Sequence, residues 1–150
     1  MKITKKFKAE IAHRLISSYS KECQNIHGHS YVFEVELECK ELNDEGMVLD
    51  FKKLKSYIEN IFNSWDHSLM LCKDDPFFTY LKNGINENKI PDTKIIVVPF
   101  NPTAENMAQY LFNLIEQKIV GLYNYEERIK VTKVIVWETA TGKAEYSEER

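Results

Sequence analysis

His27-Gly28-His29-Ser30-Tyr31-Val32-Phe33-Glu34-Val35-Glu36-Leu37-Glu38-Cys39 carries the clearest period-two pattern in the chain. Tyr31, Phe33, Val35, Leu37 and Cys39 face one way; Glu34, Glu36 and Glu38 face the other. Successive strand side chains point to opposite faces of a sheet, so this alternation predicts a strand with one buried and one polar face. Upstream, Ile3, Phe7, Ala9, Ile11 and His13 share a face against Thr4, Lys6, Lys8 and Glu10, which predicts a second half-buried strand from Ile3 to His13. The polar stretch Arg14 to Asn25 between them reads as a loop.

Downstream the period changes. Asn43-Asp44-Glu45-Gly46 marks a turn, and Asp50 is a capping residue before Phe51, Leu54, Ile58, Ile61, Phe62 and Trp65 at helical spacing. A helix is expected from about Phe51 to Ser64. Cys72 to Asp92 reads as loop with a short helical turn, and Lys94 to Phe100 as a short buried strand or an extended connector. Asn101-Pro102 places a cap before a proline at the first helical position. Ala104, Ala108, Leu111, Phe112, Ile115 and Ile119 then form the stripe of a second helix ending near Gly121. Arg128 to Thr139 is rich in Val, Ile, Thr and Trp and predicts a third strand; after Thr141-Gly142, Lys143 to Ser147 returns as a fourth. The expectation is an α+β chain, strand-strand-helix-helix-strand-strand, with a four-stranded antiparallel sheet carrying two helices on one face.

The chain has 150 residues, 43% of them hydrophobic, enough for one core, and residues 1–150 read as a single domain. Its net charge of −3 argues against a protein that tracks nucleic-acid phosphates. No apolar run is long enough for a membrane span, and the basic opening Met1 to Lys8 is followed by no hydrophobic segment of a secretory signal. Cys23, Cys39 and Cys72 are odd in number and far apart, unlike a disulfide framework. A cytoplasmic location is expected.

Three of the four histidines converge by parity. His27 and His29 leave the same side of their strand, the side of Tyr31 and Phe33. His13 ends the first strand on its apolar face. If the two strands form a hairpin, all three imidazoles project from one corner of the sheet. Three imidazoles on rigid strands suit zinc, whose catalytic sites keep three protein ligands and an open position. Gly28 between them is expected to allow a close backbone approach. The bland alternative is three polar residues at a hairpin mouth. Cys23 has three readings: a fourth ligand of a closed structural site, a reactive thiolate beside the metal, or a loop cysteine without a role. Cys39 and Cys72 read as packing residues. Asp66-His67 at a helix end reads as solvated charge or as a pair. Glu138 shares the parity of Val134 and Val136, so it needs a basic partner or a ligand. Glu105, in the first turn of the second helix, complements the helix dipole or contacts a ligand.

Assembled in order, Ala12-His13-Arg14-Leu15, Cys23-Gln24-Asn25-Ile26-His27-Gly28-His29-Ser30-Tyr31, Gly46-Met47-Val48-Leu49-Asp50-Phe51, Asp66-His67, Pro102-Thr103-Ala104-Glu105-Asn106 and Trp137-Glu138-Thr139 make the chain resemble the 6-pyruvoyl-tetrahydropterin synthase / 6-carboxy-tetrahydropterin synthase family of tunnelling-fold enzymes. The resemblance implies Zn2+ held by His13, His27 and His29. It implies Cys23 as catalytic base, Asp66 and His67 as proton-handling partners, Glu138 as pterin anchor, and Thr103 and Glu105 as substrate contacts. The three-residue gap between Cys23 and His27 resembles the carboxy-forming branch. That branch converts 7,8-dihydroneopterin triphosphate to 6-carboxy-5,6,7,8-tetrahydropterin, releasing acetaldehyde and triphosphate, on the route to queuosine. The alternatives are the pyruvoyl-forming reaction, which does not cleave the side chain, and a non-catalytic structural-zinc or pterin-binding module. The resemblance also implies barrels closed by oligomerisation, with a hexamer expected.

Overall fold

The structure, a computed structural model, describes residues 1–18, 20–120 and 129–148. The strands are β1 (Lys2–His13), β2 (His27–Cys39), β3 (Ser68–Cys72), β4 (Ile95–Val98), β5 (Ile129–Trp137) and β6 (Lys143–Tyr146), and the helices are α1 (Lys21–Gln24), α2 (Phe51–Trp65), α3 (Pro76–Asn86) and α4 (Ala104–Val120). The strands form one sheet in the order β4-β3-β1-β2-β5-β6. β1/β2, β2/β5 and β5/β6 pair antiparallel, whereas β1/β3 and β3/β4 are parallel.

The expected four-stranded antiparallel sheet is therefore corrected to a six-stranded mixed one. The added strand β3 is five residues, Ser68-Leu69-Met70-Leu71-Cys72, buried at all but Leu69. A strand covered on both faces shows no alternation to read. β4 resolves the open choice over Lys94 to Phe100 in favour of a strand. The loop expected at Arg14 to Asn25 holds the one-turn α1, and α3 occupies much of the ambiguous Cys72 to Asp92 stretch. The expected end of the second helix at Gly121 and the start of the third strand at Arg128 lie outside the described residues.

α2 packs its Leu54, Ile58, Ile61, Phe62 and Trp65 face on the sheet, and Asp50 caps it by accepting from the Lys52 and Lys53 amides. Phe51, counted on that stripe from spacing, is instead 47% exposed. α4 contributes Met107, Ala108, Leu111, Phe112, Ile115 and Ile119 to the same core. Asn101 does not cap α4. Thr103 does, its Oγ1 accepting from the Asn106 amide, while Asn101 Oδ1 accepts from the Ile16 amide and ties two loops together.

The other face of β1 and β2 is charged, with Lys2 paired to Glu36 at 2.8 Å and Lys6 to Glu34 at 3.0 Å. β5 keeps its apolar residues inward by a bulge. Glu36 pairs with Lys133 and Leu37 with Val131, so Thr132 is the extra residue. Ile129 and Val131 on one side of it, and Val134 and Val136 on the other, are thereby all buried.

Candidate metal centre and its cavity

The β1/β2 register sets His13 opposite His27 and Ile11 opposite His29. The imidazoles meet at the end of the hairpin on the side that α4 covers. Ring centroids are 4.5 Å apart for His13 and His27, 5.2 Å for His13 and His29, and 5.0 Å for His27 and His29. One nitrogen from each ring lies within 4.8 Å of the other two, so the trio can hold a metal ion. The close approach expected at Gly28 is absent. A Cβ there would meet the Ile11 carbonyl oxygen at 3.6 Å, an ordinary contact.

Backbone acceptors decide which nitrogen each ring offers. His13 Nδ1 donates to the Pro102 carbonyl at 2.8 Å, and His27 Nδ1 donates to the Asn25 carbonyl at 2.8 Å. A carbonyl only accepts, so both rings carry their proton on Nδ1 and present the lone pair of Nε2. These two Nε2 atoms lie 3.1 Å apart. Two lone pairs facing at that distance repel unless a cation lies between them. Donors around a tetrahedral ion with metal–nitrogen bonds near 2.0–2.1 Å stand about 3.3 Å apart, close to what is found. His29 Nε2 is buried without a hydrogen-bond partner among the described residues. Burial lowers the pKa of both His13 and His29, which keeps them neutral, the form a metal requires. The donor set fits a divalent ion that accepts nitrogen ligands.

A cavity of about 360 Å3 opens beside the trio, lined in part by His13, His27, Cys23, Thr103, Glu105 and Glu138. Cys23 sits in α1, and its carbonyl accepts from the Leu15 amide at 2.8 Å, which draws the loop against the end of β1. Its sulfur is not one of the mutually close donor atoms. Glu138 follows β5 directly. Because Val32 pairs with Trp137, Glu138 falls beside Tyr31, whose hydroxyl donates to Glu138 Oε1 at 3.0 Å. Burial, with the Glu138 carboxylate beside it, pushes the Tyr31 phenol up, so the hydroxyl keeps its proton.

Asp66 and His67 lie elsewhere. His67 Nδ1 donates to Asp66 Oδ2 at 2.8 Å, while the Glu10 amide donates to Asp66 Oδ1 at 2.7 Å. The Glu10 amide, then His67, holds the Asp66 carboxyl below its ordinary value. The His67 amide donates to the Glu10 carbonyl, and its backbone is left-handed at φ 53, a cost that a non-glycine residue bears only when its surroundings impose it. The ring is 77% exposed and borders a separate depression with Glu10, Gly28, His29 and Ser30. The pair is thus formed, but outside the cavity that Cys23 lines.

A sequence profile described as 6-pyruvoyl tetrahydropterin synthase matches residues 2–149. The chain belongs to the 6-pyruvoyl tetrahydropterin synthase family. A 6-carboxy-5,6,7,8-tetrahydropterin synthase of Aquifex aeolicus is 36% identical over 163 residues, covering 98% of each chain. A protein of the same name from Haemophilus influenzae is 31% identical, covering 98% of this chain and 99% of its own. Among solved structures, an uncharacterised protein of Wolinella succinogenes superposes with a TM-score of 0.83 at 27% identity, covering 99% of this chain and 98% of its own. The 6-pyruvoyl tetrahydropterin synthase of Caenorhabditis elegans shares the fold at a TM-score of 0.65 and 23% identity, covering 99% and 96%.

For a member of this family, the structure adds site residues that the sequence did not single out. The Asn25 and Pro102 carbonyls orient two imidazoles, and backbone groups have no signature in a sequence. Tyr31 counted only as an apolar-face residue, although its parity with His27 and His29 already placed its hydroxyl near the rings. Arg14, beside His13, points away from the cavity, its Nε 3.2 Å from the buried Asp75 Oδ2. No helix among the described residues is long and apolar enough to cross a membrane.

Proposed function

We propose that this chain is a zinc-dependent lyase that converts 7,8-dihydroneopterin triphosphate to 6-carboxy-5,6,7,8-tetrahydropterin, with release of acetaldehyde and triphosphate. The observation that carries the reading is the pair of Nε2 lone pairs 3.1 Å apart, each fixed by a backbone carbonyl, with a third buried and unpartnered Nε2 beside them. His13, His27 and His29 would hold the ion, leaving a vacant position toward the cavity. When bound there, zinc supplies Lewis-acid polarisation of the substrate's side-chain oxygens. The names of the Aquifex and Haemophilus relatives support the carboxy-forming branch, as does the Cys23-to-His27 spacing.

The roles of the chain's own groups follow from their places. Glu138 accepts paired N–H bonds from the flat pterin edge and fixes its orientation. Thr103 and Glu105, at the start of α4, contact the substrate from the far wall of the cavity. Cys23 takes a proton from a side-chain carbon whose neighbouring oxygen is polarised. Asp66 orients His67, whose Nε2 remains free to pass protons to and from substrate oxygens. Since that pair lies outside its own chain's Cys23 cavity, it serves the cavity of a neighbouring copy. This is consistent with a homo-oligomer, a hexamer in this reading, whose sheets close into barrels. Such an enzyme would work in the cytoplasm on the route to queuosine.

The test is a product assay on purified protein with its zinc content measured alongside. Acetaldehyde and triphosphate from 7,8-dihydroneopterin triphosphate, with about one zinc per chain, are expected. Triphosphate release without acetaldehyde would return the pyruvoyl-forming reaction. Pterin binding or bound zinc without any triphosphate release would return a non-catalytic module.

A further inference from the structure

The open position of the metal site has a competitor within the chain. Glu138 Oε1 lies 3.7 Å from His13 Nε2 and 4.0 Å from His29 Nε2. Donors of a tetrahedral ion stand about 3.3 Å apart, so by its distances to these two nitrogens this oxygen is roughly half an ångström too far to be a fellow ligand. Carboxylates ligate zinc well, and one bound there would occupy the position a substrate oxygen needs. The carboxylate is held instead by Tyr31, at 3.0 Å.

We infer that Tyr31 is a positioning residue whose hydroxyl restrains Glu138 from the metal and turns it toward the substrate, so that the coordination position stays vacant. The residue is built for restraint. Tyr31 is 1% exposed, and its ring stacks on Phe33 at 5.8 Å and meets the edges of His13 and His29 at 5.9 and 5.5 Å. The ring leans on the metal-capable trio itself, and its strand pairs beside the residue that it restrains. The hydroxyl therefore has little freedom. It also lies 3.4 Å from both ring nitrogens of His13, and its one proton goes to the nearer and stronger acceptor, Glu138 Oε1 at 3.0 Å. A phenylalanine at this position would preserve the packing and lose the restraint. The inference rests on the trio holding a metal, so the experiment reads the metal as well as the restraint.

The test uses the full chain loaded with Co2+ in place of zinc, azide as a probe of the vacant position, and chelator competition for affinity. Wild-type protein should take up one Co2+, and azide should shift its visible spectrum. Tyr31→Phe should bind the ion about tenfold more tightly and lose the azide response, because Glu138 now ligates. Adding Glu138→Gln to Tyr31→Phe should restore both, which a merely structural role for the hydroxyl would not produce. A Tyr31→Phe protein with unchanged affinity, spectrum and azide response overturns the inference while leaving the metal site intact. Failure of the wild-type protein to bind Co2+ or zinc overturns the metal reading beneath it. A further measurement needs no change at Tyr31: Glu138→Gln alone should leave the cobalt spectrum where it was, and a shift would show that Glu138 is already a ligand, which also overturns the inference.

Discussion

Arg14→Gln separates a structural arginine from a substrate-binding one. A basic residue next to a metal-capable histidine reads naturally as a triphosphate contact. The structure turns it elsewhere: its Nε lies 3.2 Å from Asp75 Oδ2, and its guanidinium lies over the Phe77 ring, 5.5 Å from the centroid. Asp75 is 2% exposed, and its Oδ1 caps α3 by accepting from the Phe77 amide at 2.9 Å. Without Arg14, Oδ2 becomes a buried charge facing no cation. Stranding a fully buried partner costs about 3–5 kcal/mol. The Arg14 side chain is 27% exposed, so water enters the vacated space and reduces the cost to about 2 kcal/mol. For a chain of this size that is a fall of roughly 4–8 °C in Tm. The assay is thermal unfolding of the wild type, Arg14→Gln, Asp75→Asn and the double variant, with turnover measured well below the transition. Asp75→Asn keeps an oxygen for the Phe77 amide and removes the charge, so the double variant should recover most of the lost Tm. An unchanged Tm in Arg14→Gln, together with a large fall in kcat/KM, would refute the reasoning and move Arg14 to the substrate.

His27→Ala removes one of three donors and should reduce bound zinc to background, with turnover lost in parallel; metal analysis after dialysis reads this, and a fully metallated variant would speak against the trio. Cys23→Ala should keep the wild-type zinc content and lose at least about a hundredfold in kcat, the usual scale for a proton-transferring group; loss of zinc instead would make the sulfur a ligand of a closed site. Acidification should destabilise the metal-free protein. Burial lowers His13 and His29, so the unfolded chain takes up their protons first; their contribution is present above about pH 6.5 and is lost as pH falls from there toward the folded values. Urea midpoints between pH 7.5 and 5 check the sign, and a midpoint that rose on acidification would contradict it.

How much of this was legible depended on whether a segment has one covered face or two. β1, β2 and α2 each bury one side, so their periodicity is written in the residues, and the convergence of His13, His27 and His29 followed from parity plus a hairpin. β3 is buried at four of its five positions and left no period to find. α3 buries no residue fully and carries Gly84 within it, so its apolar positions, Phe77, Phe78, Leu81 and Ile85, gave a weak stripe. Asn101-Pro102 looked like a helix start because asparagine caps and proline tolerates the first turn. What overrode that local preference was tertiary: the Asn101 side chain is engaged by the Ile16 amide, and the Pro102 carbonyl by His13.

The same distinction explains why the site was legible in part. Side chains that ligate are a matter of residue type and parity, both of which a sequence states. The groups that decide how they ligate are a matter of which segments meet. The Pro102 carbonyl reaches His13 across 89 positions, and Tyr31 reaches Glu138 across 107. The second pairing does not follow until the β1-β2-β5 order and the bulge at Thr132 are known, since a one-residue slip in β5 would send Glu138 to the opposite face. The bulge thus does more than keep Ile129 and Val131 buried. With Thr132 in the chain, it also keeps the downstream half of β5 in phase, and so keeps a carboxylate over the imidazoles. Deleting Thr132 should accordingly remove the extra residue and leave a regular ladder in which Ile129, Val131, Val134, Val136 and Glu138 still share one face. What is lost is the bond from the Thr132 hydroxyl to Glu36 Oε1 at 2.7 Å and the local twist of the bulge. Tm should therefore fall modestly while metal content and pterin binding stay near wild type, and a loss of pterin binding would show that the bulge itself aims Glu138.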